Sequence, residues 1–510
     1  MQTKSLLMLF AGALLLCCMA ASAVAEEVDF GDIYARSREL PEEREVLESI
    51  TFQIHPNPKG MMQRRTVTNS TFNSGHSLTL SFKALQREFS ASLHHNAEVF
   101  HPQAVVSILS EGELVESYAP ESNAYLGEAT IDGRERASVS AVLVDREKGI
   151  FHMSIMSEEE SGDSYVVEPT YLHPTLSKRS SEDSVVDMLG NNMVVFKDNL
   201  SELSTINPPS HDQDEHAERE EQAAISCGTV ADDVSQDDNE EQEGEEVFGD
   251  ASATRSCPPT RTSYLLMGVA TDNQYVRKAG GSTGTRNTVT YIFNTMQGHY
   301  YRAVRNKPVL KSLVINTSPS SSSFSSSYNT NSCPSDVQTR LTPFCNWRTK
   351  QTDRSIGLWH LLSGCLPDRS GVAGRAYYSA VCRYTTRGCG ITGYMGGNAR
   401  WVIPAHEIGH NFGARHSSNI MAASVNSRAT AFSSTSVREM CSYTFSNSYR
   451  MACLVNSLPS GLPSIPGVGG DNDDDCECRT TASNHNNKAG SEEESSSAAP
   501  TVGLMHQTFF

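Results

Sequence analysis

Val402-Ile403-Pro404-Ala405-His406-Glu407-Ile408-Gly409-His410-Asn411-Phe412-Gly413-Ala414-Arg415-His416 is the stretch on which the reading of this chain turns. On a helix, His406 and His410 stand four residues apart and project from one face, so both imidazoles can reach a single ion. Gly413 can take a positive φ, ending the helix and turning the chain so that His416 returns as a third ligand. Three ligands leave a fourth position open for water, which separates a catalytic zinc site from a closed structural one. Glu407, beside the first ligand, is placed to take a proton from that water as it attacks a peptide carbonyl.

His-Glu-x-x-His alone is short enough to arise by chance in a structural helix. The longer pattern with its third histidine is far more specific, and Met421 follows in Ser418-Asn419-Ile420-Met421, where a tight turn would carry it beneath the metal site. One catalytic Zn2+ is the cofactor expected. Other candidates weigh the opposite way: His360, in the apolar segment Gly357-Leu358-Trp359-His360-Leu361-Leu362, reads as a satisfied core residue, and Asp272, Asp353 and Asp368 are scattered and receive no role.

Outward from the motif, 510 residues of 38% hydrophobic content are enough for two or three domains, each with a core. Residues 1–25 carry one Lys, a short apolar run and Ala23-Val24-Ala25, and read as a signal peptide. The apolar run is shorter than the roughly 20 residues that cross a bilayer, and no later stretch is long enough, so a secreted, extracellular protein without a membrane span is expected. The sequons at Asn69, Asn199 and Asn316 agree with a glycoprotein. Of 13 cysteines, Cys17 and Cys18 leave with the signal; the remaining 11 cannot all pair, so at least one thiol lacks an intramolecular partner.

Charge is distributed unevenly. Residues 26–257 hold 17 basic and 46 acidic side chains, whereas residues 258–456 hold 21 basic and 6 acidic. Complementary fields in one chain favour association of the acidic part with the basic part. The basic surface also points to anionic extracellular polymers or acidic proteins as partners, while no nucleic-acid partner is expected.

Composition divides the chain further. Residues 26–205 contain alternating segments such as Ser77-Leu78-Thr79-Leu80-Ser81-Phe82 and read as a β-rich domain. Residues 206–257 turn acidic and apolar-poor, as a flexible linker does, around one less polar island, Ala223-Ala224-Ile225-Ser226-Cys227-Gly228. Residues 258–456 open with a buried strand, Tyr264 to Ala270, then a helix around Asn287 to Ala303 and a second strand, Val309 to Ile315, which implies an α/β layer. Residues 457–510 read as a disordered acidic and Ser-rich tail.

On these motifs the chain resembles the ADAM or reprolysin branch of the metzincins over about residues 261–456. The resemblance implies an α/β, metzincin-type zinc peptidase domain: a mixed twisted sheet with helices and a long zinc-binding helix, preceded by a β-rich propeptide domain. Gly357 to Cys365 and then Gly371 to Tyr378 look like the family's helix and edge strand, where substrate adds as an extra strand. Residues 26–200 are similar to the family's propeptide domain chiefly around Tyr125-Leu126-Gly127-Glu128-Ala129.

The family holds itself latent with a propeptide cysteine on the open zinc position, and Cys227-Gly228 lies where that residue should be. The activity implied is that of a zymogen hydrolysing internal bonds of protein or peptide substrates, with its own propeptide as inhibitor. The competing reading pairs Cys227 with Cys257. The resemblance also implies a Cys382–Cys453 disulfide. Departures stand beside these: Ser417 follows His416 where the family has Asp, Cys441 lacks its usual partner, and no complete disintegrin domain follows. A secreted binding or matrix protein with the same fold but little turnover is the alternative function.

Overall fold

The computed structural model describes residues 43–56, 76–159, 162–173, 192–198, 226–230, 257–320, 327–334, 336–366, 372–426, 428–446 and 451–459. The expected signal peptide, most of the linker, Asn69, Asn199, Asp368 and the tail from residue 460 lie outside them. Eleven strands come first: β1 (Arg44–Leu47), β2 (Thr51–His55), β3 (Ser77–Ala84), β4 (Arg87–His95), β5 (Phe100–Ser110), β6 (Glu113–Tyr118), β7 (Ala124–Ile131), β8 (Glu135–Asp145), β9 (Ile150–Ser157), β10 (Ser164–Pro169) and β11 (Met193–Lys197). All but β5 and β6 form an antiparallel sheet in the order β1-β11-β10-β9-β8-β7-β4-β3-β2.

Alternation drives the outer strands of this sheet. In β3, Leu78, Leu80, Phe82 and Ala84 point into a core shared with Phe89, Ala91 and Leu93 of β4, and the residues between them face solvent. Strand β10 is instead buried along its whole length, because its second face is covered as well.

The second sheet is mixed. It contains β12 (Ser226–Val230), β13 (Ser263–Thr271), β14 (Asn306–Asn316), β15 (Leu358–Ser363), β16 (Val372–Tyr377), β17 (Cys389–Gly393) and β18 (Leu454–Val455), in the order β12-β16-β17-β15-β13-β14-β5-β6, with β18 on β13. Strands β17, β15, β13 and β14 run parallel. The apolar run of β13 fits such a strand, buried on both faces.

The same logic corrects one expectation: Leu358 to Ser363 is a central parallel strand and not a helix. A six-residue apolar run carries no period that tells the two apart, and packing on both faces decides it.

The α-helices among the described residues are α1 (Asn273–Lys278), α2 (Gly281–Val304), α3 (Gln338–Thr349), α4 (Ala399–Asn411) and α5 (Ser434–Ser446). One side of α2 packs on β14 and α4, and the other on β7, β8 and β9 of the first sheet. The side facing the first sheet mixes apolar and polar contacts, with Tyr291 stacked on His152 at 3.8 Å between ring centroids. Asn294 Nδ2 donates to Tyr125 O at 2.9 Å and Ser140 Oγ at 2.8 Å, and Asn96 Nδ2 donates to Asn294 Oδ1 at 2.9 Å.

The hairpin β5–β6 extends the second sheet by pairing parallel to β14, which the sequence patterns did not anticipate. Val99, Phe100, Val106 and Val142 accordingly share one apolar core with Met296, Tyr300 and Trp401.

Among the described residues, four disulfides join Cys257–Cys441, Cys333–Cys365, Cys345–Cys389 and Cys382–Cys453. The pairing of Cys382 with Cys453 agrees with the resemblance. Cys441, expected to lack the family's usual partner, is bonded instead to Cys257, which rules out the Cys227–Cys257 alternative.

Two more residues need restating. Asn316 is buried, and its Nδ2 donates to Thr271 O at 2.7 Å and Tyr328 OH at 3.2 Å, so this sequon cannot carry a glycan in this fold. Asp272, given no role from sequence, caps α1 by accepting from Tyr275 N at 2.7 Å and forms a buried ion pair with Arg340 at 2.9 Å.

Candidate metal centre

Helix α4 is buried along all 13 of its residues and carries His406, Glu407 and His410. Its end follows from Gly413. With φ at +88°, Gly413 N donates to His410 O at 2.8 Å and Ala414 N donates to Gly409 O at 2.9 Å, the paired bonds of a Schellman cap. The chain then doubles back and brings His416 to the other two histidines.

Ring centroids lie 4.6 Å apart for His406 and His410, 5.3 Å for His406 and His416, and 4.9 Å for His410 and His416. One nitrogen from each of the three lies within 4.8 Å of the others.

The hydrogen bonds set the tautomers. His406 Nδ1 lies 2.7 Å from Ile420 O, and His410 Nδ1 lies 2.7 Å from Ala414 O. A carbonyl oxygen only accepts, so each Nδ1 carries the proton and each Nε2 keeps its lone pair. Both Nε2 atoms are buried without a hydrogen-bond partner among the described residues. Burial, followed by the neighbouring imidazole of His410, holds His406 well below the usual histidine range, and burial pushes His410 down to about 4. His416, on the exposed loop, is lowered by burial too. Two preoriented imidazoles with free Nε2 lone pairs, joined by that of His416, are the donor set that suits Zn2+.

Met421 is fully buried under the helix. Its carbonyl accepts from Ser417 N at 2.8 Å, Ala422 N bonds Asn419 O at 3.0 Å, and a Cβ on Gly409 would lie 2.5 Å from Met421 Sδ. The sulfur therefore fills the space a side chain at 409 would need.

Glu407 is completely buried, below β16. A Cβ added at Gly374 would fall inside contact distance of Glu407 Oε1, so the edge strand passes over this carboxylate only because residue 374 is glycine. Strand β12 pairs parallel with β16, placing Cys227 opposite Gly374 in the backbone register.

His360 is buried, with Nε2 at 2.6 Å from Thr392 Oγ1, in keeping with a core residue.

Several residues around the site had no signature in the motif. Glu168 Oε1 accepts from Gly397 N and from Arg400 Nε and Nη2, each at 3.1 Å, and Asp198 Oδ2 accepts from Asn398 N at 2.7 Å. Two carboxylates, one in β10 and one just after β11, thus sit at the N-terminus of α4, where backbone N–H groups favour negative charge. Tyr300 OH donates to Ala405 O at 2.6 Å from α2. The opposite charge of the two parts of the chain was the only sequence signal of this docking.

Residues 260–452 match the family model of Metallo-peptidase family M12, in its Reprolysin_5 form. The chain is also similar to Disintegrin and metalloproteinase domain-containing protein B of Aspergillus fumigatus, at 25% identity over 266 residues, which is 44% of this chain and 33% of that protein. The similarity spans about one third of the relative's own length.

Proposed function

We propose, from the premise that residues 260–452 form a reprolysin/ADAM-type metzincin segment, that this protein is a secreted zinc-dependent endopeptidase made as a latent zymogen. The observation that carries the reading is the convergence of three imidazoles beside the buried Glu407 carboxylate. When bound, Zn2+ would polarise a peptide carbonyl and acidify water at the coordination position left open by His406, His410 and His416. Glu407 takes up the proton of the attacking water. Strand β16 binds the substrate backbone as an added strand and holds the scissile bond over Glu407, which Gly374 permits by having no side chain.

Cys227 is the latency residue in this proposal: its thiolate would occupy the position needed by water. The pairing of Ser226–Val230 with β16 supports this, since the switch segment then also fills the edge where an extended substrate would add. Four disulfides support secretion. No described helix is long and apolar enough to cross a membrane. The excess of basic residues in 258–456 supports anionic extracellular polymers or acidic proteins as partners.

The test is cleavage of a broad peptide library by the full chain before and after its linker is cut, beside Glu407→Ala, a chelator and Cys227→Ser. The reading expects cleavage only after the cut, abolished by Glu407→Ala and by the chelator, and in uncut Cys227→Ser a lower but measurable cleavage, because Ser226–Val230 still pairs with β16. Absence of cleavage by folded, zinc-loaded, cut protein would leave a binding protein with a metzincin fold.

A further inference from the structure

The first two histidines are fixed by helix α4, but His416 lies on an exposed loop, outside any helix or strand. In this chain Ser417 follows it, so the loop has no carboxylate of its own at that point. Helix α5 supplies the missing contacts. Glu439 Oε2 accepts from Arg415 N at 2.8 Å, immediately before His416. The Ser417 hydroxyl, immediately after it, lies 2.7 Å from Ser436 Oγ and 3.0 Å from Ser433 Oγ, with Ser436 buried.

Tyr443 packs under Gly413, where a Cβ would come within 3.0 Å of the Tyr443 Cβ. The Tyr443 hydroxyl donates toward Ser379 O at 2.8 Å and Val381 O at 3.0 Å, in the turn that also meets the C-terminus of α4 through Ser379 N and His410 O. Helix α5 buries Met440 and Cys441, and its Val437, Tyr443 and Phe445 pack partly buried against the core. Cys441 is covalently joined to Cys257, at the start of the peptidase segment.

We propose that α5 is the positioning element for the third imidazole: Glu439 and the Ser433–Ser436 hydroxyls grip the loop on either side of His416, and the Cys257–Cys441 disulfide holds α5 where it can do so. A ligand on an exposed loop must be ordered when the ion binds, and that ordering reduces affinity unless the loop is held beforehand. Partners that orient ligands from outside the coordination sphere typically contribute about 10- to 100-fold in metal affinity. The inference rests on the metal-centre reading above, and Glu439, Ser436 and Cys441 are positioning residues that touch neither metal nor substrate.

The experiment is competition for zinc between the full-length protein and a chromophoric chelator, for the wild type, Glu439→Ala, Glu439→Gln, Ser436→Ala and the double variant Cys257→Ser with Cys441→Ser. Thermal unfolding of each metal-free protein is measured alongside. Glu439→Ala and Ser436→Ala should weaken zinc binding roughly tenfold or more with little change in metal-free unfolding temperature. Glu439→Gln keeps an oxygen acceptor for Arg415 N and should bind near the wild-type level. The disulfide variant should weaken binding in the same direction, and if it does not fold, the Glu439 pair decides. Unchanged affinity in Glu439→Ala, or an equal loss in Glu439→Gln, overturns the proposal. A wild-type protein that binds no zinc would instead overturn the metal-centre reading itself.

Discussion

Glu168 and Arg400 form an ion pair entirely out of solvent, with Glu168 Oε1 accepting from both Nε and Nη2 of Arg400 at 3.1 Å. The two residues lie 232 positions apart, one in the antiparallel sheet and one in the first turn of the helix that carries His406 and Glu407. Burial by itself would raise the Glu168 pKa, yet the Arg400 guanidinium and then the His173 imidazole, 2.5 Å from Oε2, hold it well below the usual carboxylate range. The N-terminal β-rich region therefore fixes the start of that helix. Removing one partner should leave the other charge buried and alone: Glu168→Ala is expected to cost about 3 to 5 kcal/mol in unfolding free energy, read from denaturant midpoints. The apolar pair Glu168→Leu with Arg400→Met should cost much less, and a single-variant loss under about 1 kcal/mol would show that the helix does not depend on this contact.

Stability should fall on mild acidification. Burial lowers His152 to about 4, and lowers His299 and His360 to about 3 each. Since an unfolded histidine titrates near 6.5, the unfolded chain binds protons below that pH while these folded residues stay neutral, so stability is lost as pH drops from about 6.5. At pH 5 each such histidine should cost roughly 2 kcal/mol. Glu168, with a depressed folded pKa, adds its loss only below about 4.3. Urea midpoints at pH 7.5, 6 and 5 check the sign, and a flat profile across that range would contradict it.

Gly374→Ala should damage activity without unfolding the protein. The new methyl group meets Glu407 Oε1, so either the carboxylate or the edge strand must move. A displacement near 1 Å at the reacting centre can cost about a hundredfold, and that is the expected fall in kcat/KM of the cut, zinc-loaded protein, with zinc content unchanged. Wild-type kinetics in this variant would mean that the strand does not pass over the reacting carboxylate.

If His406, His410 and His416 hold Zn2+ as proposed, stripping the metal should lower the unfolding temperature, because the ion would bind their folded arrangement in preference to the unfolded chain. At a free concentration 1,000 times Kd, one site contributes about 4 kcal/mol. Calorimetry of the full chain with stoichiometric zinc added back after chelation should restore the original temperature, and His410→Ala should abolish the difference.

Expressed in a glycosylating host, the protein should carry no glycan at Asn316, whose amide is committed to Thr271 O and Tyr328 OH inside the core. Mass spectrometry of the tryptic peptides reads this directly. A glycan found there on folded protein would contradict the buried placement of that side chain.

Much of the candidate site was legible because its parts are local. His406 and His410 meet through one helical turn, Gly413 supplies the positive φ, and the return to His416 spans only three more residues. The β-rich character of residues 76–159 was legible for the same reason, since alternation in β3 and β4 is a property of neighbouring residues. The strand at Leu358–Ser363 was not legible, because an apolar run reads alike in a buried helix and a buried parallel strand. Neither were the carbonyls of Ile420 and Ala414 that set the histidine tautomers, since every residue has a carbonyl and only the turn geometry selects which one is in reach.

By itself, then, the sequence determined the chemistry: three imidazoles, one carboxylate and a glycine-capped helix end, spaced so that backbone geometry alone brings them together. Tertiary structure alone decided how that site is held. The docking of Glu168 and Asp198 on the start of α4, the partner of Cys441, and the grip of α5 on the loop of His416 join segments remote in sequence. Such contacts carry no local pattern, because which of many charged, thiol or hydroxyl groups meet is settled only when loop closure and core packing place whole elements against one another.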